Sequence, residues 1–296
     1  MQIDGSKPLW IASRILLTDR GEDFFRRRDI VLKTFSPDDI HDLRVASRRL
    51  REGLALFAPC YPSGAIARIV KQLKLVTGLL GNIRNSDEAI LFFTALAEEL
   101  DAGFRDELSG ITASFQKGRN KELKKLKAGL KEIASNSLRD LFRRVVNSPT
   151  LFNRQNNDID LFIPLSQFAG DALNARLAAV LRLVPEARQP GEIEAQHLLR
   201  IAVKHFRYRM EILFFLFGTR FEEFHGVLKG YQDVLGIMHD LDVFADIVRK
   251  AGLAFLTQKP FLDAIKAKRG KFFADFSAML ETAPVEGIGE GMRSIL

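Results

Sequence analysis

Two segments of this chain place a histidine and three basic residues along one edge of a helix. His41, Arg44, Arg48 and Arg51 stand at i, i+3, i+7 and i+10, and His197, Arg200, Lys204 and Arg207 repeat that spacing without a gap. At roughly 100° per residue each set falls within an arc of about 80°. Neither set contains an acid. A solvated helix face ordinarily mixes Glu with Lys at i,i+4, and stacked like charges cost a few tenths of a kcal/mol per pair. A bound anion offsets that cost. Arginine suits phosphate because its planar fork donates two hydrogen bonds to neighbouring oxygens and stays charged at any relevant pH, while lysine adds a mobile point charge. Each histidine begins its stripe one turn before the arginines, where its ring supplies a donor and an anion favours its protonated form. The residues themselves define a binder of a phosphate-like polyanion.

A second pair of segments repeats in the same order. Leu73-Lys74 through Leu80-Gly81, Arg84 and Asp87 match Leu228-Lys229 through Leu235-Gly236, His239 and Asp242. Lys71 and Lys74 share a helix face with Gly78 and Gly81, and the absence of side chains at the glycines predicts close approach of a helix, or room for a ligand. In the second copy Gly226 replaces Lys71 and Asp233 replaces Gly78, which predicts a weaker anion site there. Arg84 becomes His239, still a donor. Two matched segments in one order define an internal repeat.

The elements that must carry these residues read as helices throughout, with no alternating strand pattern and hairpin turns. A lead-in helix spans about Leu9 to Lys33. Ser36-Pro37-Asp38-Asp39 starts the next, with Ser36 as cap, Pro37 at the first helical position and two acids at the positive end. That helix runs to about Phe57, with Leu43, Ala46, Leu50, Leu54 and Phe57 opposite the basic stripe. Further helices are predicted over 65–80, 86–100 and 119–134, the last rich in lysine (Lys117, Lys121, Lys124, Lys125, Lys127 and Lys131), with Arg139, Arg143 and Arg144 beyond it. Residues 147–164, rich in Asn, Asp, Gln and Pro, read as the connection between halves. The second half is expected to hold helices over 164–183, 192–217, 221–235, 240–251 and 261–280, with Leu199, Ala202, Phe206 and Leu213 opposite its stripe. Residues 283–296, with three glycines and a proline, read as a loosely held tail.

Composition narrows the class. The chain has 296 residues, a formal charge of +7 and a pI near 9.5. The basic excess is confined to one half: positions 1–150 hold 26 basic and 19 acidic residues, the remainder 18 and 18. The single cysteine, Cys60, and the lack of a leader pattern predict a reducing cytoplasm. The longest apolar run, Ile212 to Phe217, is far short of the roughly 20 residues of a membrane span, so no membrane partner is expected. The phenylalanines fall mostly at apolar helix positions and read as core.

These paired motifs resemble the CHAD family, the conserved histidine α-helical domain. They comprise the His-x-x-Arg-x-x-x-Arg-Arg-x-Arg helix, its copy continuing into Tyr208 and Glu211, and the two Leu-Gly-x-x-(Arg/His)-x-x-Asp segments. The resemblance covers about Leu9 to Leu280. It implies two four-helix bundles, 9–146 and 164–280, related by a pseudo-twofold axis and lining a basic central cavity that binds inorganic polyphosphate, with phosphate or sulfate as lesser guests. It further implies the binding set His41, Arg44, Arg48, Arg51, Lys74, Arg84, His197, Arg200, Lys204, Arg207 and Lys229, to which the helix face of Lys71 and the donor His239 are added from the residues themselves, with no cofactor, no metal, and association with polyphosphate granules. The chain departs from the family at His205, where a second basic residue is usual, and at Ser86 and Leu241, which differ between copies. Family members are often fused to a triphosphate-tunnel barrel, which this sequence lacks, so a polyphosphatase is not implied. Two rival classes remain. His41-Asp42 and His239-Asp240 permit a His-Asp metal phosphohydrolase, although neither pair recurs in its copy. The basic charge permits a nucleic-acid binder, although no reading motif is present.

Overall fold

A computed structural model describes residues 3–135, 138–149 and 159–295; of the predicted connection, residues 150–158 lie outside the described set. Among the described residues there is no strand, and no helix is long and apolar enough to cross a membrane. The protein is all-α. Its chain forms two compact units, Pro8–Ile163 on one side and Met1–Lys7 with Pro164–Leu296 on the other.

The first unit contains α1 (Leu9–Thr34), α2 (Pro37–Leu56), α3 (Ser63–Glu99), α4 (Arg105–Ser135) and α5 (Leu138–Val146). α1 ends at Phe35, whose left-handed backbone (φ 49°) turns the chain sharply and lets its N–H bond to Val31 O. Ser36 then caps α2 by accepting from the Asp39 N–H at 3.2 Å, as the Ser-Pro-Asp-Asp signal predicts. Helices α1 to α4 pack in sequence and α4 returns to α1, so they enclose a four-helix core. All five apolar positions expected on α2 are buried.

The second unit contains α6 (Leu165–Ala187), α7 (Ile193–Ile212), α8 (Phe221–Lys250), α9 (Phe255–Thr282) and α10 (Val285–Arg293). Leu199, Phe206 and Leu213 are buried as expected, and Ala202 is half-buried. The N-terminal segment belongs here: the Leu165 and Ser166 N–H groups donate to Lys7 O and Gly5 O, both at 2.9 Å. A Cβ at Gly5 would stand 3.1 Å from Ser166 Cβ, so the segment lies close against the start of α6.

Several boundaries differ from expectation. Residues 65–80 and 86–100 are one 37-residue helix, and 221–235 and 240–251 one of 30. In α3 the buried series Leu73, Val76, Leu80, Ile83, Ser86, Ala89 and Phe93 runs through the supposed break at helical spacing, so burial overrides the poor propensity of Gly81-Asn82. α4 starts fourteen residues before the predicted Arg119, at Arg105. α9 starts at Phe255 and contains Pro260; the Gln258 amide holds that first turn by donating to Val248 O and Arg249 O at the end of α8.

The supposed tail is helix α10, anchored by buried Val285, Ile288 and Met292. It packs on α6 and α8 as α5 packs on α1 and α3, and both are nine residues long. Each unit therefore closes with a short helix laid across its first and third long helices. A glycine admits each one. A Cβ at Gly21 of α1 would stand 2.1 Å from the Phe142 ring of α5, and one at Gly291 of α10 would stand 2.4 Å from the Phe224 ring of α8.

Candidate functional site

In the first unit the stripe occupies the edge of α2 that meets α3. Ser47 is fully buried on this edge; it donates to Arg44 O at 2.8 Å and accepts from Thr77 Oγ1 of α3 at 3.3 Å. Thr77 lies one turn from both Lys74 and Gly81, so this contact brings the α3 lysine face beside the α2 stripe. His41 is exposed, Arg44, Arg48 and Arg51 are half-buried, and Lys71 and Lys74 are exposed.

Arg51 carries the most strain of charge. Its Nε is buried and meets no acceptor among the described residues. Burial pulls its pKa down, the like charge of Arg48 pulls it further, and Glu52 offsets part of this. A half-buried cation crowded by another is stabilised by an incoming anion. Arg84 is spent differently: it forms an ion pair with Glu88 one turn on.

The glycines do not serve helix packing as expected. A Cβ at Gly78 or Gly81 would meet nothing within 4 Å, and Gly78 borders a cavity of about 510 Å³ with Lys74, Leu75, Asn82 and Gly129 between α3 and α4. The close approach falls one residue away, where Gly129 of α4 would place a Cβ 2.9 Å from Leu79.

In the second unit four predicted residues converge. His197 Nδ1 and His239 Nδ1 are 3.0 Å apart, and Arg200 and Lys204 both bear on His239. Burial, then Arg200, His197 and Lys204, push His239 down to about 4. Gly236 lies beneath the Arg200 side chain, where a Cβ would stand 3.9 Å from Nε. Lys229 is exposed.

Arg207 is held within the unit. Its guanidinium bonds to Gln232 Oε1 at 3.0 Å and His225 Nε2 at 3.1 Å, and it pairs with buried Glu211, to which His225 is also joined at 3.1 Å. The first unit does not carry the same residues. Positions aligned with Glu211, His225 and Gln232 are Ala55, Val70 and Thr77. The two stripes match in sequence and differ in how their last arginine is balanced.

The repeated Asp of the Leu-Gly motif has a role the sequence leaves unassigned. Asp87 pairs with Arg119 of α4, and Asp242 pairs with Arg269 of α9 at 3.1 Å through Nη2, which also reaches Gln196 Oε1 at 2.6 Å. Both links are partly buried and tie the third long helix to the fourth, one turn beyond Arg84 or His239. The signal was present, since an Asp kept in both copies calls for a cation, but several fourth-helix cations compete for it on paper. Arg139 and Arg143 likewise fasten α5 to α1, through Asp29 at 3.3 Å and Glu22 at 2.9 Å.

Asp42 is committed to Arg27 of α1. Among the described residues no group of three or more His, Cys, Asp or Glu is arranged to hold a metal ion.

An all-α chain with these two stripes belongs to the CHAD family: the CHAD domain model matches residues 16–249. Two solved structures share its fold. A crystal structure of the CHAD domain from the plant Ricinus communis is 21% identical with a TM-score of 0.63, covering 100% of this chain and 95% of that one. PptA from Streptomyces chartreusis is 17% identical with a TM-score of 0.59, covering 97% and 99%. No curated protein matches the chain.

Proposed function

We propose that this protein binds inorganic polyphosphate, without turning it over, through the basic stripes of α2 and α7, and that binding directs it to polyphosphate granules. The observation that carries this reading is Arg51 beside Arg48: two half-buried like charges on a helix edge pinned by a fully buried apolar face. A multivalent anion seated on that edge offsets the repulsion that Glu52 offsets only in part. Arg44, Arg48, Arg51, Arg200 and Lys204 contact phosphate oxygens, with Lys71, Lys74 and Lys229 following the polymer as exposed point charges. His41, His197 and His239 add donors. Arg84 and Arg207, each already joined to a glutamate, hold local structure and contribute field.

The test is a titration of long-chain polyphosphate at controlled salt. Each phosphate contact contributes close to one unit of log-log salt slope, by analogy with nucleic acids, so Arg48→Ala with Lys204→Ala is expected to flatten the slope by about 2. Arg48→Glu with Lys204→Glu is expected to weaken binding by about two orders of magnitude, with helical circular dichroism unchanged. Full binding by the folded charge-reversed variant would refute the site. A nucleic-acid binder would behave otherwise in competition: tRNA or DNA displacing polyphosphate at equal phosphate concentration near about 0.15 M salt would refute the ligand.

A further inference from the structure

His197 and His239 meet Nδ1 to Nδ1 at 3.0 Å, their ring centroids 4.3 Å apart. Nitrogens at this distance share a single hydrogen. In the neutral pair one ring carries its hydrogen on Nδ1 and the other on Nε2, so the pair presents one outward N–H donor. One added proton changes two things together. The Nδ1 bond persists, both Nε2 atoms become donors, and the pair gains a positive charge.

We propose that the His197–His239 pair is a one-proton switch that tightens the second stripe's hold on a phosphate polymer as pH falls. This rests on the polyphosphate reading above. The surroundings decide the sign. From α7, Arg200 and Lys204 oppose the extra proton. From α8, Asp242 lies one turn beyond His239 but is neutralised by Arg269 of α9, and Asp240 is next in the chain; Lys268 precedes Arg269. From α6, Ala187 O reaches the Gln196 amide beside the pair at 3.3 Å. Without ligand, burial and these cations hold His239 well below the ordinary histidine range. A phosphate chain seated on Arg200 and Lys204 cancels the repulsion and lifts His239 toward that range.

Any ligand that raises a group's affinity for a proton is bound more tightly when that proton is supplied. Full relief from about 4 to about 6.5 would tighten the second stripe about thirtyfold between pH about 8 and pH about 5. The first unit has His41 and Arg84 at the matching positions. Arg84 is permanently charged, so that unit has no histidine pair to share and take up a proton in this way.

The experiment follows the histidine ring signals of the full-length wild-type protein by NMR across pH, with and without saturating long-chain polyphosphate. His197→Gln and His239→Gln identify the two signals. Saturation is expected to raise the midpoint of the pair by at least about one pH unit. In direct titrations the gain in affinity at acid pH is expected to be smaller in His239→Gln than in wild type. A midpoint that stays put while the polymer is bound overturns the switch and leaves polyphosphate binding intact. Absence of binding at both pH about 8 and pH about 5 overturns both.

Discussion

Arg51 and Arg207 occupy the same place in their stripes, yet one is crowded by a cation and the other is enclosed by Glu211, His225 and Gln232. Three exchanges, Ala55 for Glu211, Val70 for His225 and Thr77 for Gln232, separate these fates. A glutamate placed at exposed position 55 stands one turn from Arg51, within reach of an i,i+4 pair. Ala55→Glu is therefore expected to weaken polyphosphate binding about tenfold by giving Arg51 an internal partner. The urea midpoint should change little, because exposed helix pairs are worth only a few tenths of a kcal/mol. Equal polyphosphate affinity in Ala55→Glu and wild type would show that Arg51 does not hold the polymer.

The helices show which glycines matter and why the sequence misleads about them. Gly78 faces open space, so Gly78→Ala is expected to raise stability by up to about 1 kcal/mol in urea denaturation, through helix propensity alone. Gly291 meets the Phe224 ring, so Gly291→Ala is expected to cost about 1–3 kcal/mol by lifting α10 off α8. Reversed signs would mean that α10 does not dock as described. The cap of α2, its apolar face and both basic stripes were legible because they depend on residues within a few turns of one another. The continuity of α3 and α8 was not, because local breakers such as Gly81-Asn82 were weighed without the core that Ile83 and Ala89 join. Helix α10 was missed for the same reason: three apolar residues amid glycines mean little until α6 and α8 offer a surface. The Asp–Arg links and the Arg207 network join separate helices, and spacing along the chain does not say which partners meet.

At the level of the whole chain, the stripes are covalently joined but unequal. The basic excess lies in positions 1–150, where Arg51 is crowded by Arg48 and only partly offset by Glu52, whereas the remainder is charge-balanced and pairs its last arginine with Glu211. Charge reversal at Arg48 alone should therefore weaken binding more than reversal at Lys204 alone. Two linked sites also engage one long polymer at a higher effective concentration than two short ones. Affinity per chain is expected to rise steeply once the polymer exceeds the length that fills one stripe, and then to level off. Affinity that rises only in proportion to length would indicate independent, diffuse contacts.

The pairing of Gly5 and Lys7 with the start of α6 sets a clock for synthesis. Their partners Leu165 and Ser166 leave the ribosome about 160 residues after them, on the order of ten to thirty seconds at ordinary elongation rates. During that interval the helices of the first unit are made and can fold. The short segment at Gly5 and Lys7 waits for α6 and seats only as the second unit forms, so it finds its place after residues made later than itself.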